Sequence, residues 1–368
     1  MANANMRVTQ TFESGRIDVL HTGEHGATLA VPSDSSAPGF RQWFAFDVAG
    51  KADAPFEIVL DNARDCTWGD ALGGAYKVYA SDGTAWARLD SRLDHGRLVV
   101  RGAHRAPRLR LCYYPPYPTA RLSAVRRRVR ARGGEVERLA ETPGGRPVEV
   151  YRLGRRESPA WFVAHQHPGE SMAGWFVEGL VEWLTEGGPA AERLLAVGVA
   201  VVPRMNPDGV AIGNHRTTPL GRDLNRTWAD AEPPVEVAAA RAALLRSGAA
   251  FFFDVHGDER LPWVFGQPAD GLSERARAQI ARVEAELVAS TRDFQTVHRY
   301  PYDPRGKPSL AFASNWAHHS LGCPAVTLEM PFSDHLGRPD PRGFFPARAR
   351  RLGARVGRAL AAVVPPAA

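Results

Sequence analysis

Cysteine is scarce in this chain of 368 residues: there are three, Cys66, Cys112 and Cys323, at no metal-type spacing. Three thiols cannot all pair within the chain, so a disulfide framework is excluded and free thiols in a reducing compartment are expected. Long apolar runs are lacking too. No stretch approaches the ~18 residues of a membrane-spanning helix, so no membrane partner is expected. Residues Met1–Arg7 carry no charged-then-apolar signal pattern, which points to a cytoplasmic protein. Nor is there a strong charge of one sign. The 46 basic and 40 acidic residues leave +6, too small an excess to imply nucleic acid. Internal repeats and long low-complexity segments are missing. What remains, 44% hydrophobic and 23% charged, is an ordinary globular composition. The length suits two domains, with a core that needs no disulfide or metal to hold it.

Glycine and proline, 35 and 29 residues, mark many turns. From residue 6 to about 114, short strand-like segments alternate with turn signals. Trp43–Val48, Phe56–Leu60, Lys77–Ala80, Leu98–Val100 and Leu109–Tyr113 are the clearest. This spacing predicts an antiparallel β-sandwich. Tyr113-Tyr-Pro-Pro-Tyr-Pro118 then interrupts the pattern, because its prolines fit neither sheet nor helix. The division is placed there, giving an N-terminal domain over 1–118 and a second over 119–368. Beyond it, strands expected at 147–153, 160–164, 196–203, 250–255 and 324–330 alternate with helices at 120–131, 171–186, 234–247, 273–291 and 346–363. That alternation predicts an α/β domain, a mainly parallel mixed sheet flanked by helices. Such sheets bind ligands beyond the carboxyl ends of their strands.

The densest chemistry lies at one such end. His165-Gln-His167-Pro-Gly-Glu170 follows the apolar run Trp161–Ala164, so a turn can aim an imidazole and a carboxylate at one point. Hydrolytic zinc is commonly held by two histidines and a carboxylate with one position open. The pair alone is weak, since many surface turns contain one. His256, after the apolar strand Phe251–Val255, is a candidate third ligand, and Asp254 shares its side of the strand and could orient it. A second cluster runs from Arg204 to Trp228. Asn206-Pro-Asp-Gly209 reads as a turn. Asn225-Arg226 pairs an amide with a guanidinium fork suited to a small carboxylate, against the ordinary reading of a loop arginine in solvent. A third cluster puts Glu329 in the apolar run Ala325–Met330, where a carboxylate is costly to bury without a partner or a task. Beside a metal it can move a proton.

These clusters, His167-Pro-Gly-Glu170, Asn206-Pro-Asp-Gly209, Asp223-Leu-Asn-Arg226, His256 and Thr327-Leu-Glu329, occur in the order seen in zinc metallocarboxypeptidases. The His-Pro-Gly-Glu form and the preceding β domain resemble the cytosolic carboxypeptidase subfamily. The resemblance spans about residues 6–364. It implies one zinc per chain on His167, Glu170 and His256, and hydrolysis of the last residue of a peptide or protein. It also implies Glu329 as the catalytic glutamate, Arg216 at the oxyanion, Asn225 and Arg226 on the terminal carboxylate, and Asp223 behind the metal site. Family members often carry a tyrosine that closes over the substrate; Tyr300 and Tyr302 precede Glu329 at a comparable distance, and Tyr302 is taken as the candidate. Counting back from Glu329 brings Ser314 near the pocket for the last side chain. The net positive charge, with Arg305 and Lys307 nearby, suggests acidic chain ends.

Other groups read as structural. His21 and His25 lack a third partner. His318 and His319 fit a short helix. The run Arg126–Arg132 and the arginines at 348–358 fit solvated helix faces. Two rival functions stand beside the first: a zinc amidohydrolase of N-acyl amino acids resembling aspartoacylase and succinylglutamate desuccinylase, and a non-catalytic peptide-binding protein.

Overall fold

The computed structural model describes residues 6–51, 53–301 and 307–364. Its N-terminal part holds two five-stranded sheets. One runs Arg7–Thr9, Ala45–Ala49, Arg108–Cys112, Tyr79–Ser81, Trp86–Arg88 and is antiparallel throughout. The other runs Asp18–Thr22, Gly26–Ala30, Pro55–Leu60, Arg97–Ala103, Asp90–Asp94 and contains one parallel pair, Gly26–Ala30 with Pro55–Leu60. The inward residues of both sheets, such as Leu29, Phe46, Ile58, Val100 and Leu111, belong to one apolar cluster.

The second sheet system has seven strands among the described residues. Their order is Glu135–Glu141, Pro147–Leu153, Val199–Val202, Ala160–Ala164, Phe251–Val255, Ala325–Glu329, Phe265–Pro268. The four central strands are parallel to one another and the outer pairings are antiparallel. Parallel strands covered on both faces read as continuous apolar runs, which is why Trp161-Phe-Val and Phe251-Phe-Phe stood out. Successive residues alternate between faces. Phe162, Val201 and Phe253 face one core, with the helices Met172–Glu186 and Pro346–Val363. Trp161, Val163 and Phe252 face the other, with Val235–Ser247 and Ala313–Leu321.

The edge strands 135–141 and 265–268 were not expected. The first alternates charge with apolar residues and is half exposed; the second is four residues ending in proline. The strand expected at 196–203 is shorter, because Pro189–Val197 is a helix with proline in its first turn. Tyr113, Tyr114 and Tyr117 of the proline-rich segment are buried, and the apolar cluster runs through them. Tyr113 stacks on Phe332 with ring centroids 4.6 Å apart, and Tyr117 meets Trp175 edge-on at 5.1 Å.

The three cysteines are free and buried; burial pushes Cys66 and Cys323 up to about 12. Arg126, Arg128 and Arg132 each meet a glutamate from a neighbouring element. The terminal helix departs from expectation at Arg348. It is buried, not on the outer face, and pairs with Asp293 at 2.6 Å. No helix among the described residues is long and apolar enough to cross a membrane.

Candidate metal centre and active site

The strand Ala160–Ala164 ends in His165, which has a positive φ of 62° and turns the chain sharply. Non-glycine residues rarely adopt that conformation, and it costs roughly 1 kcal/mol. Burial, then Arg204, lowers the His165 pKa to about 3, so the ring is neutral and donates from Nε2 to Pro168 O at 2.9 Å. The turn is closed from the other side by Asn206. Its Nδ2 donates to Gln166 O, and its Oδ1 accepts from Gly209 N–H, capping the helix Pro207–Ile212. The Asn-Pro-Asp-Gly turn thus braces the strand end.

The braced turn delivers His167 and Glu170, and the parallel neighbour Phe251–Val255 delivers His256. Glu170 lies 2.6 Å from His167 Nδ1 and 2.7 Å from His256 Nδ1, and the two Nδ1 atoms are 3.2 Å apart. All three residues are buried. On the far sides, His167 Nε2 faces Asp223 at 3.1 Å and His256 Nε2 faces Asp254 at 2.9 Å. With each ring proton donated to its aspartate, two nitrogen lone pairs and a carboxylate converge on one point. Such a cluster needs a positive charge, from a proton or a metal cation. Two imidazoles and one carboxylate, each ring held from behind by a carboxylate, fit zinc. They also form the described group with metal-ligating potential.

The electrostatics agree. Burial opposes charge on Glu170, yet His167 and His256 outweigh it and hold the carboxyl well below its ordinary value. Burial opposes protonation of His256, yet Asp254 and Glu170 hold its pKa well above the ordinary imidazole value. Asp223 shows the same balance, depressed by His167 and Arg216 despite burial. Asp254 is anchored in turn: Gln166 Nε2 donates to it at 2.7 Å, and Trp228 Nε1 donates to Gln166 Oε1 at 2.9 Å.

Around the cluster is a cavity of about 960 Å³. Glu329, at the end of Ala325–Glu329, opens into it. Burial, reinforced by Glu170, Asp258 and Glu259, drives its pKa well above the carboxylate range against the pull of His256. Its Oε2 has no hydrogen-bond partner among the described residues, while Oε1 lies 3.4 Å from the Tyr300 hydroxyl. Arg216 donates from Nε to Asp223 at 2.7 Å, so one carboxylate ties it to His167.

Asn225 spends its Oδ1 on Ala313 N–H at 2.8 Å, and its NH2 group lies 3.1 Å from His256 Nε2. With that nitrogen's proton on Asp254, the amide keeps its donors for another acceptor. Arg226 packs over Phe312 at 4.2 Å, and among the described residues no carboxylate pairs with it. Ser314 lines the same cavity and accepts from Thr327 Oγ1 at 3.0 Å.

Tyr302 and Arg305 lie outside the described residues. Lys307 is exposed and is not among the cavity's lining residues. His21 and His25 are exposed on the N-terminal sheets. His318 Nδ1 meets Cys323 O at 2.8 Å, a structural contact. Tyr300, named with Tyr302 from its distance to Glu329, lines the cavity, and its hydroxyl also contacts Asp258. Sequence reasoning missed Asp258 and Glu259 beside it. It also missed Phe40 and Trp68, rings from the N-terminal region that form one wall of the cavity.

Comparison with known proteins gives a consistent picture. Residues 133–351 match the zinc carboxypeptidase family, and residues 8–114 match the cytosolic carboxypeptidase N-terminal domain. A solved metallo-carboxypeptidase from Burkholderia cenocepacia is 34% identical, with a TM-score of 0.92 over 97% of this chain and 98% of its own. A second, from Pseudomonas aeruginosa in complex with (2-guanidinoethylmercapto)succinic acid, is 36% identical, with a TM-score of 0.90 over 97% and 98%. Among curated proteins, cytosolic carboxypeptidase 1 of Gallus gallus is 24% identical over 71% of this chain. The chain spans 26% of that relative's length, against 94% of an uncharacterised Zymomonas mobilis protein that is 32% identical.

Proposed function

The chain belongs to the zinc carboxypeptidase family, and on that premise we propose that it is a zinc-dependent exopeptidase removing the last residue of peptides or proteins in the cytoplasm. The observation that carries this reading is the convergence of His167 Nδ1, His256 Nδ1 and Glu170 beside Arg226, which has no carboxylate partner among the described residues. The first three would hold zinc. When bound, zinc supplies a Lewis acid for the scissile carbonyl and for water, and a positive charge that offsets the carboxylates around Glu329.

The remaining work belongs to the protein's own side chains. Arg226, with the Asn225 amide, binds the free carboxylate of the substrate and so restricts attack to a chain end. Glu329 removes a proton from the attacking water and returns it to the leaving amine. Arg216, aimed by Asp223, meets the negative charge that develops on the carbonyl oxygen. The rival amidohydrolase and binding readings lose ground to the match over residues 8–114 and to the complete set of polar groups around the cavity.

For the last side chain two readings stand. Acidic residues are favoured by the net charge of +6, with Arg305 and Lys307 nearby in sequence. Basic or amide-bearing residues are favoured by the cavity itself. Gln267 Oε1 is buried there without a hydrogen-bond partner among the described residues, Asp270 lines it, and Arg299 is already paired with Glu284 at 3.2 Å. The guanidino group named in the ligand of the Pseudomonas aeruginosa enzyme is of this second kind.

Peptides matched except for a free or amidated C-terminus, incubated with zinc-loaded protein and followed by mass spectrometry, test the function. Loss of one residue from free peptides only is expected. Equal cleavage of both forms would exclude an exopeptidase. Endings in Glu, Lys, Phe or Ala decide between the two side-chain readings.

A further inference from the structure

The loop 213–222, which carries Arg216, has no regular secondary structure. Its backbone donors need partners from elsewhere. For three consecutive residues, 215–217, Asp34 in the N-terminal region supplies them, 182 residues from Arg216. Its Oδ1 accepts from His215 N–H at 2.7 Å. Its Oδ2 accepts from Arg216 N–H at 2.8 Å, from Thr217 N–H at 2.9 Å and from the Thr217 hydroxyl at 3.1 Å. Asp34 is 5% exposed. No cationic side chain forms an ion pair with it among the described residues, so three successive amides carry its charge, as in an anion nest.

Neighbouring contacts hold the entry to the same loop. Ser14 Oγ donates to Val210 O at 2.8 Å, Arg16 Nη1 to Ile212 O at 3.2 Å, and Ser35 N–H to Asn214 Oδ1 at 3.0 Å. Gly213 and Gly221 have positive φ of 74° and 77°, and a Cβ there would stand 2.8 Å from Ser14 O and 2.4 Å from Ser36 O. Only glycine lets the N-terminal backbone come this near. Beyond the backbone, the Arg216 guanidinium is 5.5 Å from the Phe40 ring and 5.6 Å from the Trp68 ring, and Asp223 fixes its Nε. Arg216 is thus held twice, at the amide by Asp34 and at the side chain by Asp223.

We propose that Asp34 is a positioning residue for Arg216: by gathering the amides of residues 215–217 it sets the backbone from which the guanidinium is aimed at the oxyanion. This rests on the reading of Arg216 given above. The N-terminal region is then a working part of the active site. Stabilisation of a developing charge depends on donor placement to a fraction of an ångström, so a loosened loop costs turnover rather than substrate binding.

Asp34→Asn, Thr217→Val, Arg216→Ala and the Asp34→Asn/Arg216→Ala double variant test this in the zinc-loaded full chain. Asp34→Asn should lower kcat about 10–100-fold, with KM and zinc stoichiometry essentially unchanged. Affinity for a phosphonate peptide analogue, a mimic of the tetrahedral intermediate, should fall by the same factor as kcat/KM. Affinity for the product amino acid should not move. Thr217→Val, which deletes one of the four donors, should show the same pattern at a few-fold, and it carries the test if Asp34→Asn does not fold. Arg216→Ala should lower kcat on the order of 10²–10³-fold, and adding Asp34→Asn to it should cost less than about 3-fold more. A cost of Asp34→Asn that persists in full without Arg216, or that arrives with lost zinc, would overturn the positioning role alone. So would unchanged kcat in both Asp34→Asn and Thr217→Val. Wild-type turnover in Arg216→Ala would instead remove the oxyanion reading, and the proposal with it.

Discussion

The two regions that meet at the cavity contribute in opposite ways. The seven-stranded sheet exports reactive side chains from its strand ends: His167 and Glu170 after Ala160–Ala164, His256 after Phe251–Val255, and Glu329 at the end of Ala325–Glu329. Among the described residues, the N-terminal region places no metal-ligating side chain at the site. Its loops give a carboxylate that binds backbone and two rings that form a wall, Asp34, Phe40 and Trp68. A strand end is held on both sides by its neighbours, so its side chains are placed by the sheet itself. The loop 213–222 is not in a sheet; Gly169, Glu259 and Asp223 hold it from its own region, and Asp34 holds three of its amides from the other. Chemistry and alignment are thereby divided between them.

That division can be broken from the sheet side first. His256→Ala removes one of the three proposed ligands and should abolish stoichiometric zinc and drop turnover by more than about 10⁴-fold, since a two-ligand site cannot keep the metal. Metal analysis after dialysis checks this; retained stoichiometric zinc would place the metal elsewhere. Glu329→Gln should keep zinc and substrate affinity and lose roughly 10³-fold or more in kcat, because the amide cannot carry the proton. Turnover near wild type would mean that another group, such as Asp258 or Glu259 beside it, holds the proton.

From the N-terminal side the expected effects are smaller and of a different kind. Gly221→Ala meets Ser36 O across the junction at positive φ. It should destabilise by about 1–3 kcal/mol and lower kcat a few-fold with zinc retained. Thermal unfolding with steady-state kinetics measures both. A loss of zinc here would erase the distinction between the two regions.

The same division explains what was legible in the sequence. The proposed metal ligands and Glu329 stand directly behind or within apolar runs such as Trp161–Ala164 and Phe251–Val255, so local pattern marks both the strand and its end. The central strands and most helices followed from the same signal. The edge strands 135–141 and 265–268 did not, because exposure dilutes the apolar pattern in one and the other is too short to show any. Arg348 was placed outside since periodicity treats arginine as solvated; its partner Asp293 is 55 residues away. Asp34 sits in Pro-Ser-Asp-Ser-Ser, which reads as any polar turn. Nothing local announces that its acceptors meet amides 182 residues further on. Phe40 and Trp68 were hidden likewise, since long-range juxtaposition places them at the cavity.

On the proposed reading, one metal sits on the Nδ1 side of both imidazoles, with Asp223 and Asp254 behind them. Anomalous diffraction at the zinc edge, from crystals of the zinc-loaded chain, locates it. A single peak bounded by His167 Nδ1, His256 Nδ1 and the Glu170 carboxylate is the expected result. A peak on the Nε2 side, between His167 and Asp223 or between His256 and Asp254, or none near these residues, would contradict it.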